Sequence, residues 1–168
     1  MVRPMPQVRN AQEFYANALA IERYLHSSYL DLQRQMQEQG DNELESVLKR
    51  LAEEQELQIS ILDRSAQGMR LKYIEQGKCP WGEYCETDCA EFRHGVTVTP
   101  EEVLRGAFDA AKCVAIYYRQ IGKTTGSREV QMLAWEFALE EEHQVRQLGA
   151  MISRRYGAAP APIAINRA

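Results

Sequence analysis

The fold is decided by residues 18–29, ALAIERYLHSSY, because residues 107–118, AFDAAKCVAIYY, repeat their pattern. Both segments open on alanine, carry a basic residue at the sixth position and close on a tyrosine, Tyr29 or Tyr118. Apolar residues three or four positions apart lie on one face of a helix. The second half of the chain therefore repeats a helix of the first half.

A second pair of segments follows the first. Residues 51–62, LAEEQELQISIL, match residues 137–148, FALEEEHQVRQL, with leucine closing both segments. Two helix pairs that occur twice in one chain predict an all-α, up-down four-helix bundle in which the two halves superpose.

Length and charge narrow the classes of function. A chain of 168 residues is large enough for one domain with a single core. Its formal net charge of −4 argues against a nucleic-acid partner. No apolar run approaches the roughly 20 residues that a membrane span requires, and residues 1–9 show no apolar signal segment. We expect a cytoplasmic protein that binds neither nucleic acid nor membrane.

Capping residues indicate where the helices begin and end. Asn10 is a candidate N-cap and Gly40 a candidate stop for the first helix. Thr99, followed by Pro100, is a strong helix start, and Ser127 is a further N-cap candidate. The predicted helices span residues 10–39, 42–76, 100–122 and 127–156.

One connection is much longer than the others. Residues 78–98 separate the second and third helices, and a segment of that length can cross from one end of a bundle to the other, as in ferritin-like topologies. Residues 157–168 show no helical period and are expected to form a tail.

The order of these motifs resembles the rubrerythrin branch of the ferritin-like superfamily over residues 10–155. In that family the first and third helices show Ala-x-x-x-Glu-(Lys/Arg)-x-x-x-x-x-Tyr, and the second and fourth show Leu-Ala-x-x-Glu-x-x-His-x-x-x-Leu. The resemblance implies a di-iron centre, held by four Glu and two His, that reduces peroxide or oxidises iron. It also implies that such bundles pair as homodimers.

This sequence departs from the family at most ligand positions. Glu22 on the first helix and Glu141 on the fourth keep the carboxylate. Where the family has its other four ligands, this chain has Ala111, Gln55, Gln58 and Gln144.

A literal Glu-x-x-His also occurs on the fourth helix, at Glu140 and His143. Helical phase argues against it, because Glu141 and Gln144 lie at the centre of the apolar stripe while Glu140 and His143 lie about 100° away from it. The internal repeat agrees, since it pairs Gln55 with Glu141. We therefore predict that Glu140 and His143 are solvated.

Three interpretations of the core follow. Iron is held best by imidazole and anionic oxygen, and neutral glutamine amides are weaker donors, so a working di-iron centre is doubtful. A remodelled site for one metal is the second interpretation. The third is a metal-free network in which Tyr29, Tyr118 and the glutamines hydrogen-bond the two carboxyl groups. His26, at the edge of the stripe, is more readily a histidine at a helix boundary than a ligand.

The connecting segment carries three of the four cysteines. Cys79, Cys85, Cys89 and His94 can close a tetrahedral site, and we predict that they bind zinc or iron. Cys113, on the third helix, is interpreted as a small buried thiol.

Two functions are consistent with these sequence features. One is a ferritin-like metal-binding protein with a degenerate di-iron site, acting through partners or its own dimer. The other is a rubrerythrin-type di-iron oxidoreductase. Apolar residues off the main stripes offer a surface for a homodimer: Tyr24, Tyr73, Ile116 and Trp135. The sequence does not identify a small-molecule substrate.

Overall fold

The computed structural model describes residues 7–74 and 98–157. These two ranges contain four helices and no strand. The helices are α1 Ala11–Gln39, α2 Asn42–Ser65, α3 Pro100–Thr124 and α4 Arg128–Tyr156. The prediction of an all-α four-helix bundle is confirmed.

The predicted helix starts are confirmed by their caps. The Asn10 side chain accepts a hydrogen bond from the backbone N–H of Glu13, which satisfies one of the free donors of the first turn. Thr99 and Glu102 form a reciprocal capping box at α3. Ser127 accepts from the Val130 N–H at α4.

The second helix is shorter than predicted. It ends at Ser65, not near residue 76, and Gly68 then adopts a left-handed conformation with φ of 84°. The prediction failed because apolar residues continue past the helix. Met69 and Leu71 pack against the core from non-helical chain, so the apolar pattern alone did not reveal the end.

Contacts at the helix ends define the topology. The Gln39 side chain at the end of α1 donates to the Val98 carbonyl oxygen, 2.9 Å away, just before α3. Arg155 near the end of α4 binds Asp41 at the start of α2, with Nη2 and Oδ2 2.6 Å apart. The chain therefore leaves α2 at one end of the bundle and enters α3 at the other. This confirms the long crossover and the ferritin-like topology.

Helix packing follows the repeat. The closest packing is within the α1–α2 pair and within the α3–α4 pair, as expected for two repeated hairpins. Between the pairs, the Phe14, Tyr118 and Phe137 rings meet with centroids 5.3–5.9 Å apart, a spacing typical of stabilising aromatic contacts. The aromatic cluster thus joins α1 to α3 and α4.

None of the four helices has the length and apolar character that a bilayer span requires.

Candidate functional site

Four polar side chains are buried in the middle of the bundle. Glu22 from α1 is 1% exposed, Gln55 from α2 is 0% exposed, and Glu141 and Gln144 from α4 are 3% and 7% exposed. The remaining helix, α3, contributes the fully buried Ala111. Buried carboxyl and amide groups are costly unless they have partners, so this cluster is the candidate site.

Among the residues that the structure describes, Glu22 has one hydrogen-bond partner. The Tyr118 hydroxyl donates to Glu22 Oε1 at 3.0 Å. Burial raises the pKa of the Glu22 carboxyl from 4.5 to about 8; the Tyr118 hydrogen bond lowers it and the charge of Glu140 raises it further. Desolvation dominates because it disfavours the charged form. Glu22 is therefore largely protonated at neutral pH when no cation faces it.

Glu141 is affected in the same way. Burial raises the pKa of the Glu141 carboxyl well above its usual value, and the charge of Glu22 raises it further. The Gln55 amide lowers this pKa, although its atoms do not reach hydrogen-bonding geometry. Two buried carboxyl groups that disfavour each other's ionisation form an interacting pair. The pair holds at least one proton at neutral pH.

Two tyrosines flank the carboxyl pair. Burial, followed by the charges of Glu22 and Glu141, raises the pKa of Tyr118 well above 10. Burial and then the charge of Glu141 do the same for Tyr29. Both phenols therefore stay protonated at any physiological pH and act as neutral hydroxyl groups beside the carboxyls.

Several buried polar atoms of this cluster have no hydrogen-bond partner within residues 7–74 and 98–157. They are Glu22 Oε2, Glu141 Oε2, Gln144 Oε1 and both polar atoms of the Gln55 amide. Each unsatisfied buried group costs roughly 1–3 kcal/mol. Oxygen atoms of this kind are ligands that a hard cation prefers.

The helical phase is as the sequence predicts. Glu140 and His143 are exposed, while Glu141 and Gln144 point into the bundle. His143 contacts the Gln147 side chain, one turn along the same helix, at 2.8 Å. His26 is only partly buried and lies outside the core cluster.

Gln58, which the repeat predicts to lie in the core, lies at the edge of the core. Gln58 is half-buried, not fully inside, and its Nε2 donates to Glu140 Oε2 across from α2 to α4. The repeat pairs Gln58 with Gln144, but only Gln144 is buried.

The residues present do not fit a di-iron centre. Ala111 offers a methyl group where the resemblance implies a carboxylate, and glutamines replace the other missing ligands. No group of three or more His, Cys, Asp or Glu side chains converges anywhere in the described part of the chain. Two carboxylates and two amide oxygens suit one cation with oxygen ligands better than two irons.

Sequence reasoning missed a buried ion pair next to this cluster. Glu142 is 4% exposed and binds Arg119 through both carboxylate oxygens, with Arg119 Nη2 2.7 Å from Oε2. The Arg119 guanidinium lies over the Trp135 ring, 4.9 Å from its centroid. Charged residues beside an apolar stripe usually face solvent, so the sequence carried no signal for this pair.

Cys113 differs from the prediction. It is buried as expected, but it forms a disulfide and is not a free thiol. The predicted metal ligands Cys79, Cys85, Cys89 and His94 all lie outside the described residues. The prediction of a zinc or iron site in the crossover stays open.

The predicted dimer surface is uneven. Tyr73 is exposed, whereas Tyr24, Ile116 and Trp135 are only partly exposed. Trp135 is partly covered by Arg119. It also packs closely on Gly122, where an added Cβ would lie 3.1 Å from the indole ring. The homodimer remains a prediction.

Comparison with known proteins supports the fold. No family model and no curated protein matches the chain. A solved structure of an uncharacterized conserved protein from Magnetospirillum magnetotacticum is similar, with a TM-score of 0.73 and 22% sequence identity. The match covers 91% of this chain and 97% of that chain. The likeness therefore extends over nearly the whole bundle.

Proposed function

We propose that this chain is a ferritin-like metal-binding protein, related to rubrerythrins, whose degenerate di-iron site binds a single divalent cation. Glu22 and Glu141 are the anionic ligands, and the amide oxygens of Gln55 and Gln144 are the neutral ones. The resemblance of the helix motifs supports the placement of the site, and the substituted ligands support one cation in place of two irons.

The observation that carries this proposal is the set of buried oxygen atoms without partners. Glu22 Oε2, Glu141 Oε2 and Gln144 Oε1 are all shielded from solvent. A purely structural network would be expected to pair them with hydrogen-bond donors. A cation satisfies carboxylate oxygens and amide oxygens at once.

The donor set favours a hard cation. All-oxygen ligands suit manganese, magnesium and calcium, whereas zinc and iron(II) gain from imidazole or thiolate ligands. The Irving–Williams order ranks zinc above manganese at a given site. Because the ligands here are all oxygen atoms, we expect the preference of the core for zinc over manganese to be smaller than that order implies.

Neighbouring residues orient the carboxyl groups of the proposed site and affect their protonation. Tyr118 holds Glu22 Oε1 at 3.0 Å and leaves Oε2 unbound by any described residue. Because both carboxyl groups have raised pKa values, a cation that binds them displaces the protons they hold. When bound, the cation supplies the positive charge that lets two buried carboxylates ionise together.

A second candidate is a metal-free polar core that fixes helix register. The Tyr118–Glu22 hydrogen bond favours it, because a protonated carboxyl pair beside two phenols needs no metal to remain neutral. The protein would then act only through partners or through its own dimer.

Equilibrium dialysis against manganese distinguishes the two candidates. We expect wild-type protein to bind manganese in the core, and we expect Glu22→Gln and Glu141→Gln each to lower the affinity by at least about tenfold, since each removes an anionic ligand. The matched control is Glu53→Gln, an exposed carboxylate on α2, which should bind as wild type does. Equal manganese binding by wild type and both core variants would contradict the proposal and leave the metal-free core.

A further inference from the structure

A cavity of about 240 Å³ lies between α1 and the non-helical chain that follows α2. Residues of α1 line one wall, and residues 71–74 line the other. None of the lining residues belongs to the buried polar cluster, so this cavity is separate from the candidate site in the core. At about 30 Å³ for each group of the size of a water molecule, it has room for roughly eight such groups. A small organic molecule fits a space of this size.

Short side chains on α1 explain why the cavity exists. Ala16 and Ala20 are four residues apart in α1 and therefore lie on the same side of the helix. Leu71 packs against the core, which keeps residues 71–74 beside α1. Because an alanine side chain is only a methyl group, it does not fill the space between the helix and this segment. Leu19, which is 4% exposed, adds a further apolar side chain to the lining.

Both charged side chains that line the cavity are basic. Arg23 comes from α1 and Lys72 from the opposite wall, and no acidic residue of the described chain lines the cavity. Lys72 has no ion-pair or hydrogen-bond partner among the described residues. Arg23 Nη2 lies 3.1 Å from Asp63 Oδ1, and no described residue binds its Nε or Nη1, so the guanidinium can donate to a further acceptor. Cationic donors thus lie beside an apolar surface.

We propose that this cavity binds a small monocarboxylate with an apolar chain, of the size of hexanoate. The chain lies against Ala16, Leu19 and Ala20, where it leaves water. The carboxylate accepts hydrogen bonds from the Arg23 guanidinium and the Lys72 ammonium, which are charge-assisted and therefore stronger than neutral ones. An amine is disfavoured by the two positive charges. A purely polar anion such as inorganic phosphate is disfavoured by the apolar walls.

Titration of the full-length, isotope-labelled protein with hexanoate, followed by amide NMR, tests this proposal. We expect saturable chemical-shift changes at the amides of residues 16–23 and 71–74. Acetate has the carboxylate without the chain and should bind at least about tenfold more weakly, since it buries fewer methylene groups. Hexylamine has the chain with the opposite charge and should not saturate these amides. The proposal is wrong if hexanoate causes no saturable change there, or if hexylamine binds as tightly as hexanoate.

Two variants separate the shape of the site from its charge. Ala20→Leu places a larger side chain in the cavity and should abolish hexanoate binding, whereas Ala150→Leu, at an exposed position of α4, should leave it unchanged. Lys72→Gln should weaken binding about two- to fivefold, the scale of a solvent-exposed ion pair. Its control is Lys49→Gln, at an exposed position of α2, which should bind as wild type does.

The amide spectrum of each variant also reports whether the fold is retained, because Ala20 and Lys72 lie outside the hydrophobic core. Wild-type affinity in a folded Ala20→Leu variant would show that hexanoate binds outside the cavity. Wild-type affinity in Lys72→Gln would contradict the assignment of the carboxylate to the basic side chains. Either result would overturn the proposal.

Discussion

At the residue scale, Glu22 shows how burial determines the chemistry of the core. Glu22 is buried, with 1% exposed, and the described hydrogen bond to its carboxyl comes from a neutral phenol, Tyr118. A phenol stabilises a carboxylate less than a cationic partner does, so desolvation dominates and the pKa rises to about 8. The group is therefore largely neutral at pH 7, and under the proposed function a bound cation would make it anionic.

This raised pKa predicts how stability depends on pH in chelator-treated protein. Between 4.5, the ordinary pKa, and about 8 in the folded state, native Glu22 holds a proton that the unfolded chain has lost. The free energy of unfolding should therefore fall as pH rises through this window, by up to about 1.4 kcal/mol per pH unit for one such group.

Urea unfolding at several pH values between about 5 and 8 measures that slope. Glu22→Gln, which cannot titrate at this position, should make the slope less steep, with the remaining slope due to Glu141, whose pKa is also raised. Glu53→Gln should leave the slope as in wild type. A free energy of unfolding that rises with pH in chelator-treated wild type would contradict this account of Glu22.

At the element scale, the Arg119–Glu142 pair joins α3 to α4 beside the site. Arg119 follows Tyr118 in α3, and Glu142 follows Glu141 in α4. The pair therefore holds in register the two helices that carry the Tyr118 hydroxyl and the Glu141 carboxyl. Both side chains are mostly shielded, with 21% and 5% of their surfaces exposed, so solvent screens their attraction only weakly.

Breaking this pair should destabilise the protein. Glu142→Gln leaves the Arg119 guanidinium without its anionic partner, and we expect a loss of about 1–3 kcal/mol in the free energy of unfolding. The control is Glu101→Gln, which breaks the exposed pair with Arg105 and should cost under about 1 kcal/mol. Urea denaturation compares the two variants. Equal losses in the free energy of unfolding would show that the Arg119–Glu142 pair stabilises the protein no more than the exposed pair does.

At the scale of the whole molecule, the internal repeat made the architecture predictable. Repeated apolar spacing and strong caps identified four helices, and the length of residues 78–98 indicated the crossover. The helical phase of α4 also predicted that Glu141 is buried and Glu140 exposed, and the structure agrees. These features follow from helical periodicity, which a sequence shows directly.

Features that depend on contacts between distant residues were not predictable. The end of α2 is set by the chain after Ser65, which stays apolar without staying helical. The burial of Glu142 depends on Arg119, which is distant in sequence. The disulfide at Cys113 likewise depends on a second cysteine that helical spacing does not identify. Periodicity carries no information about such partners.

The most direct test of the central claim is a crystal structure of manganese-loaded protein with anomalous scattering from the metal. The account predicts one anomalous peak between α1 and α4, with oxygens of both Glu22 and Glu141 at about 2.0–2.6 Å, the range for hard cations with oxygen ligands. Two adjacent peaks in the core would show a dinuclear centre and contradict the account. A core without any peak, in crystals that bind manganese elsewhere or not at all, would contradict it equally.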